Sequence, residues 1–208
     1  MTASSSLQNA LPRFITDRRS VRAFSQKAVP ETLLDACVSA ACLAPAPHHS
    51  RPWRWVTLGK KGRSDLAQGM AASWRQDLTA DAVEAKEIDR LCHASISRIT
   101  AAPAAVLGCL VREGLDTYPD NRRQQAEWNM ALLSLGAGVE NLLLTATAHG
   151  LSGCWIAAPV FCPDAARQAL HLDAALTPQA LILLGYPHHA YTPPERPPIP
   201  LALYRLQR

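Results

Sequence analysis

The 208-residue sequence lacks the motifs that mark the common nucleotide-binding and hydrolytic sites. No GxGxxG or GxxxxGK[ST] pattern occurs, which argues against a Rossmann or P-loop site. No GxSxG nucleophile elbow occurs, and no serine, thiol or paired-carboxylate arrangement indicates a hydrolase. If the protein is an enzyme, we therefore expect a cofactor to supply the chemistry, with no catalytic side chain beyond it.

Metal-ligand and disulfide patterns are also missing. No CxxC pair occurs, and no Asp, Glu or Cys cluster lies at ligand spacing beside His48 and His49, so we expect no metal site. Cys162 lies in a predicted turn, and the other five cysteines lie in apolar stretches that predict core helix or strand. Free, mostly buried thiols in a reducing cytoplasm fit this pattern. Those five cysteines are Cys37, Cys42, Cys92, Cys109 and Cys154.

The excess of charge of one sign is small, since 21 Lys and Arg against 17 Asp and Glu give a formal charge of +4. This excess suits a phosphorylated or carboxylated small ligand but is too weak to indicate nucleic acid. No stretch predicts a membrane span, because the most apolar one, Met130–His149, contains Glu140 and Asn141. The first residues do not read as a signal peptide. We therefore expect a cytoplasmic protein without nucleic-acid or membrane partners.

The composition is globular, with 48% hydrophobic and 18% charged residues, and predicts a single domain over residues 1–208. Residues 1–6 are expected to be disordered. Residues 191–208 are expected to form an extended tail, because Tyr191–Pro200 contains five prolines.

Hydrophobic periodicity predicts an α+β fold with a small central sheet and one long central helix. Strands are predicted over Trp53–Leu58, Ala104–Val111, Ser152–Ile156 and Ala180–Gly185. Helices are predicted over Gly62–Leu78, Ala80–Thr100, Asn121–His149 and Asp164–Leu170, with another between Pro30 and Pro45 and a first one carrying Leu7, Leu11, Phe14 and Ile15. Gly136, Ala137 and Gly138 in the long helix indicate a close backbone or flat ligand, unless the helix is locally loose.

Two clusters near the N-terminus can bind a cofactor. Arg18–Arg22 (RRSVR) offers three guanidinium groups whose forks match phosphate or carbonyl oxygens, an exposed charged turn being the alternative. Ala44–Trp55 (APAPHHSRPWRW) combines a stiff loop, two imidazoles and two tryptophans, which favours contact with a planar heterocycle.

Two further clusters lie at the ends of predicted elements. The first cluster opens the long helix and consists of Tyr118–Asp120 followed by Arg122, Arg123 and Glu127. It fits either an anion-binding site or a plain capped helix start. Gly150–Phe161 ends a strand in small residues, which lets backbone amides approach a ligand, a plain strand-to-turn junction being the alternative.

Together these clusters resemble the nitroreductase family of flavoproteins. The opening RRSxRxF-like motif is matched by Arg18–Phe24, and the proline-rich loop ending in PW is matched by Pro45–Trp53. The sequence is most similar to the C-terminal FMN reductase domain of the bifunctional enzyme of coenzyme F-420 biosynthesis (FbiB), without its ligase domain. The likeness runs from about Arg18 to about Leu203 and includes Trp74–Leu78, Tyr118–Asp120 and Cys154–Ile156.

The resemblance implies a nitroreductase-like fold, with a mostly antiparallel sheet and a long central helix, in an intertwined homodimer that holds FMN at the subunit interface. Arg18, Arg19 and Ser20 would hold the phosphate and ribityl chain, Arg196 would add a contact to the phosphate, and Arg22 would face the pyrimidine edge of the flavin. The ring would be covered from the second subunit by Pro45, Ala46, Pro47 and His49, and lined on the near side by Trp155, Ile156 and Ala157.

Some residues are shared only with this FMN reductase domain and are not needed to bind FMN. These residues are expected to contact the substrate. They are His48, Trp74, Arg75, Tyr118, Asp120 and Arg123. Two segments, Ala157-Ala158-Pro159 and His188-His189, depart from the pattern of that domain. The resemblance therefore leaves the identity of the substrate open.

The resemblance implies an FMN-dependent oxidoreductase that reduces dehydro-coenzyme F-420-0 to coenzyme F-420-0 by hydride transfer from reduced FMN. The acceptor would thus be a small molecule, a deazaflavin or another electron acceptor. One alternative is a general NAD(P)H-dependent nitroreductase or ene-reductase. Another is a non-catalytic protein that binds flavin or deazaflavin.

Overall fold

Four strands form one sheet in the order β1-β2-β4-β3, and every neighbouring pair is antiparallel. The strands are β1 (Trp53–Leu58), β2 (Ala104–Leu110), β3 (Ser152–Ile156) and β4 (Thr177–Gly185). The computed structural model describes residues 13–189, 191–192, 194–200 and 204–205. Every residue of β2 is buried, as a continuous apolar run predicts for a strand covered on both faces.

Five α-helices surround the sheet within the described residues. They are α1 (Glu31–Ala41), α2 (Lys60–Ala80), α3 (Ala85–Thr100), α4 (Asn121–Ala148) and α5 (Pro163–Ala169). Residues 13–17 are also helical, and Pro47–His49 and Ala158–Val160 form single 3₁₀ turns. The predicted α+β architecture, with an antiparallel sheet and one long helix, is confirmed.

The two faces of the sheet carry separate cores because side chains alternate along each strand. On one face Val106 and Ile182 pack with α1 and α4. On the other face Leu107 and Leu181 pack with residues of α2, α3 and α5. The sheet is therefore a middle layer between two layers of helices.

Helix α4 is long and apolar enough to cross a membrane by length and composition, but in this fold it is a core helix. It packs against α1 and against β2, β3 and β4. Its most apolar 18-residue window is 44% buried, and the apolar side chains of Met130 and Leu133 on this helix are 40% and 75% exposed.

The glycines in the middle of α4 have different surroundings, and one of them meets another backbone as predicted. A Cβ on Gly138 would lie 3.0 Å from the Ala41 carbonyl oxygen and 3.1 Å from Cζ2 of Trp55. A Cβ on Gly136 would have only the Trp155 ring near it, at 3.9 Å. Gly138 thus lets α4 approach α1 closely.

The element boundaries differ from the sequence prediction at few places. The helix predicted to begin at Ala80 begins at Ala85 instead, after a turn in which Ala82 has a φ of 57°. Strand β4 begins at Thr177 rather than Ala180, because it continues past a register shift opposite Gly108 and Cys109. Leu7 and Leu11 of the predicted first helix lie outside the described residues.

The prediction of five core cysteines is wrong for Cys42. All six cysteines are free, but Cys42 is exposed because it lies one residue beyond the end of α1. Burial raises the pKa of Cys37 to about 11 and that of Cys109 to about 12, so neither is a nucleophile near neutral pH. The structure therefore gives no thiol chemistry to these core positions.

The two glycines of α4 provide a matched stability test. Gly138→Ala and Gly136→Ala gain the same helix propensity, but only the first adds a methyl group against a backbone carbonyl and a tryptophan ring. We expect Gly138→Ala to be less stable than Gly136→Ala by about 1–3 kcal/mol, the usual cost of overpacking. Urea unfolding of both variants measures the difference. Equal stabilities would contradict the close approach of α4 to α1.

Candidate functional site

The RRSVR segment lies along the edge strand β3. Ser20 pairs with Gly153 in a parallel bridge, and the Val21 amide donates to the Gly153 carbonyl at 3.0 Å. A second bridge joins Phe24 to Pro187, beyond the end of β4. The apolar residues Val21 and Phe24 are buried, whereas Ser20 before Val21 and Arg22 after it are exposed. This alternation fixes the backbone and presents the polar side chains outward.

The described tail brings a further guanidinium to this segment. Arg196 donates from Nη2 to the carbonyl oxygen of Arg18 and, at 3.4 Å, to that of Ile15. Arg18 itself forms an ion pair with Glu140 of α4, with 3.1 Å between Nε and Oε1. The predicted cofactor residues Arg18 and Arg196 are therefore neighbours, although they lie far apart in the sequence.

A cavity of about 650 Å³ lies between α2, α3 and the end of β3. Its apolar wall includes Met70, Trp74 and Phe161, and the predicted flavin-lining residues Ile156 and Ala157 lie on the same cavity. Cavities of this size and lining are typical binding sites for small organic molecules. The structure thus joins part of the predicted flavin site with one predicted substrate residue, Trp74.

Two arginines of α3 line the cavity, and they differ in their partners. Arg90 makes two hydrogen bonds to Glu87, at 2.7 and 2.6 Å, which raise the pKa of Arg90 and lower that of Glu87. Arg98 makes no ion pair with any described residue. A ligand anion in the cavity can therefore bind Arg98 without displacing a carboxylate.

Asp77 and Cys162 complete the polar part of the cavity. Burial, and to a smaller extent the charge of Asp77, raise the pKa of the Cys162 thiol. The thiol is therefore neutral at physiological pH, and the cavity contains no activated nucleophile.

Sequence reasoning missed Asp77, Arg90, Arg98, Phe161 and Cys162. Arg90 and Arg98 belong to an amphipathic helix in which charged residues normally face solvent, so their types carry no signal. Only the packing of α2 beside α3 and over the turn Ala158–Val160 places them on one cavity. Asp77 lies in the segment Trp74–Leu78, which is part of the family resemblance, but the sequence alone indicated no role for Asp77.

The proline-rich loop is attached to α4 rather than to the cavity. Ser134 donates to the Pro45 carbonyl at 2.5 Å, and Asn141 donates to the Ala40 carbonyl at 3.2 Å. His48 and His49 both have left-handed backbones, with φ of 51° and 54°. None of the predicted ring-covering residues of this loop lines the cavity of its own chain.

The Tyr118–Asp120 cluster forms a capped helix start. Asp120 accepts from the Arg123 amide at 3.0 Å and pairs with the Arg123 guanidinium at 2.5 Å, which lowers the pKa of the carboxyl. The same guanidinium lies 5.3 Å from the ring of Tyr118. Arg75, on α2, is paired with Asp89 at 2.7 Å. Within one chain, these residues and His48 do not share the cavity with Trp74, and their role stays a prediction.

Comparison with known proteins identifies the family. The sequence profile of the Nitroreductase family matches residues 15–186. The chain belongs to the nitroreductase family. The nitroreductase NfnB of Mycolicibacterium smegmatis is 25% identical over 191 residues, which cover 80% of this chain and 79% of that protein.

Two solved structures have the same fold. A BluB-like flavoprotein from Clostridium difficile 630 has a TM-score of 0.75 and 19% identity, over 95% of this chain and 98% of that one. A nitroreductase from Bacteroides fragilis, solved with bound FMN, has a TM-score of 0.71 and 21% identity, over 91% and 95% of the two chains. The predicted nitroreductase-like fold is confirmed, as is the predicted class of FMN-dependent oxidoreductase at the level of the family.

Proposed function

We propose that this nitroreductase-family protein uses FMN to reduce a small planar organic acceptor that carries an anionic group. The observation that carries the proposal is the cavity at the end of β3, in which Trp74 and Phe161 offer flat apolar surface and Arg98 offers an unpaired cation. Such a site accepts an aromatic ring on one side and a carboxylate or phosphate on the other.

The residues around the RRSVR segment fit an FMN phosphate. The segment and the tail carry four arginines, Arg18, Arg19, Arg22 and Arg196, and among the described residues only Arg18 is paired with a carboxylate, that of Glu140. The surplus positive charge and the exposed hydroxyl-bearing Ser20 match a phosphate dianion and its ribityl chain. When bound, FMN supplies hydride transfer in two half-reactions, one with the donor and one with the acceptor. The protein binds the phosphate, orients the acceptor through Arg98 and excludes water with Trp74 and Phe161.

We further propose that the protein is a homodimer and that the loop Pro45–His49 covers the flavin of the other subunit. The support is the uncovered apolar surface of α4, on which Met130 is 40% and Leu133 is 75% exposed. Trp155, on β3, is 46% exposed. Large apolar side chains left in water on a core helix are a strong reason for a second copy to bind there.

The proposed acceptor is dehydro-coenzyme F-420-0, because a deazaflavin is planar and its side chain is anionic. A general nitroreductase is the second candidate, and one observation favours it. Arg75 and Arg123, expected to bind the deazaflavin side chain, already have the carboxylate partners Asp89 and Asp120. A non-catalytic flavin-binding protein would show no turnover with either acceptor. A cytoplasmic location is proposed with the function.

The experiment that tests the function begins with the visible spectrum of the purified protein and mass spectrometry of the released cofactor. NADH- and NADPH-dependent reduction of dehydro-coenzyme F-420-0 and of a nitroaromatic then compares the two acceptors. Efficient reduction of the deazaflavin supports the first candidate. Reduction of nitroaromatics alone supports the second. Protein that cannot be loaded with FMN would refute both.

For the cofactor, we expect Arg22→Ala to weaken FMN binding by about 10- to 100-fold, the effect of losing one charge-assisted contact. Fluorescence titration of the apoprotein with FMN measures the change. Arg13→Ala is the matched control, since it removes the same charge outside the motif. An unchanged affinity in Arg22→Ala would contradict the proposed cofactor site.

For the dimer, we expect Leu133→Glu to produce monomers that retain little FMN, because it adds a charge to the exposed apolar face of α4. Sedimentation velocity at micromolar concentration measures the oligomeric state. Gln125→Glu adds the same charge at an exposed polar position of α4 and should remain dimeric. A monomeric wild-type protein with a full complement of FMN would refute the two-subunit site.

For the substrate, we expect Arg98→Ala to raise KM for 4-nitrobenzoate by about 10- to 100-fold and to leave KM for the neutral 4-nitrobenzamide within about two-fold. Steady-state kinetics on FMN-loaded enzyme measures both. Lys86→Ala, which removes a charge from the same helix outside the cavity, is the control. Equal effects of Arg98→Ala on the two acceptors would show that Arg98 does not bind the anion.

A further inference from the structure

Three potential metal ligands from separate parts of the chain converge on the side of α4 that holds the proline-rich loop. His48 Nε2 lies 3.6 Å from Oδ2 of Asp116 and 3.6 Å from Oε2 of Glu127, and the three ligand atoms all lie within 4.8 Å of one another. None of these residues lines the 650 Å³ cavity. The group is therefore separate from the cavity described above.

The buried carboxylate of Glu127 is incompletely satisfied. Its side chain is fully buried, and Oε1 accepts from the Asp116 amide at 3.4 Å. Oε2 is buried without a hydrogen bond from any described residue, since 3.6 Å from His48 is too long for one. A buried carboxyl oxygen left without a hydrogen bond is costly and calls for a cation or a further donor.

We propose that His48, Asp116 and Glu127 bind a divalent transition-metal ion of the Zn²⁺ class. One imidazole and two carboxylates are ligands that Zn²⁺ accepts, and its bonds to nitrogen and oxygen are about 2.0–2.2 Å long. In a tetrahedral site, such bonds place ligand atoms roughly 3.3–3.6 Å apart, so the two 3.6 Å distances need little adjustment. The fourth position is left to water or to another ligand.

An ion pair between His48 and the two carboxylates is the simpler alternative, and the metal titration below separates the two explanations. His48 and Asp116 are about half exposed, so an ion can enter from solvent and reach the fully buried side chain of Glu127. The left-handed backbone of His48 directs its ring toward α4 at some conformational cost. A metal ion would offset that cost by linking the loop, the segment before α4, and α4 itself.

Spacing along the chain explains why sequence reasoning expected no metal. Asp116 and Glu127 are far from the histidine pair in sequence, and the neighbouring His49 takes no part in the group. The fold alone brings the three residues together, because α4 carries Glu127 past the loop that Ser134 holds in place.

The test uses FMN-loaded full-length protein, freed of metal by chelator dialysis and titrated with ZnCl₂ in a calorimeter at pH 7.5. We expect one ion per chain with micromolar or tighter affinity. His48→Ala and Asp116→Asn should each weaken binding by at least about ten-fold, since even indirect partners of metal ligands contribute 10- to 100-fold. His189→Ala should bind as wild type. Substitution with Co²⁺ should give visible absorption bands that Asp116→Asn abolishes.

Several outcomes would overturn the proposal. Wild-type protein without stoichiometric binding, or Asp116→Asn and His48→Ala with wild-type affinity, would show that the group is an ion pair only. Loss of binding in His189→Ala alone would place the ion at the other histidine pair. Glu127→Gln tests the buried ligand. If Glu127→Gln fails to fold, Asp116→Asn decides the question, because Asp116 is exposed. FMN content, measured in parallel, separates failure of this proposal from failure of the flavin site.

Discussion

The hydrogen bond from the Val21 amide to the Gly153 carbonyl holds the proposed cofactor site together. It attaches the arginine segment to β3, whose other end opens into the cavity. Gly153 is pressed so closely onto the helix behind it that a Cβ would lie 2.6 Å from Cδ2 of Leu143. The backbone of the arginine segment is therefore held in place by the packing of β3 on α4, and the burial of Val21 secures it.

Helix α4 connects the separate parts of the site. Its buried face covers the sheet, and its Glu140 pairs with Arg18 in the cofactor segment. Ser134 and Asn141 hold the proline-rich loop and the end of α1. Its exposed face carries Met130 and Leu133, which the proposed dimer would cover. A shift of this one helix would move the arginine segment, the loop and the proposed subunit interface together.

The secondary structure was largely predictable because the strands are apolar runs with clear ends and α4 begins at a capping aspartate. The RRSVR segment and the PW loop were also recognisable, since each motif is contiguous in the sequence. The cavity was not, because Arg98 and Phe161 acquire their roles only when α2, α3 and the turn after β3 pack together. The exposure of Cys42 was not predicted because the residues around it are apolar. The sequence therefore did not indicate that α1 ends at Ala41.

The ion pairs determine which of the positively charged side chains remain available to bind an anion. Arg75, Arg90 and Arg123 each have a carboxylate partner on a neighbouring turn or helix, so they contribute little attraction to an anion. Arg19, Arg22 and Arg98 form no ion pair with any described residue, and they lie on the cofactor segment and in the cavity. These three arginines are therefore available to a phosphate and to an anionic acceptor without the loss of an ion pair within the described residues. Because both places adjoin β3, this strand would set the distance between the two anions in the proposed function.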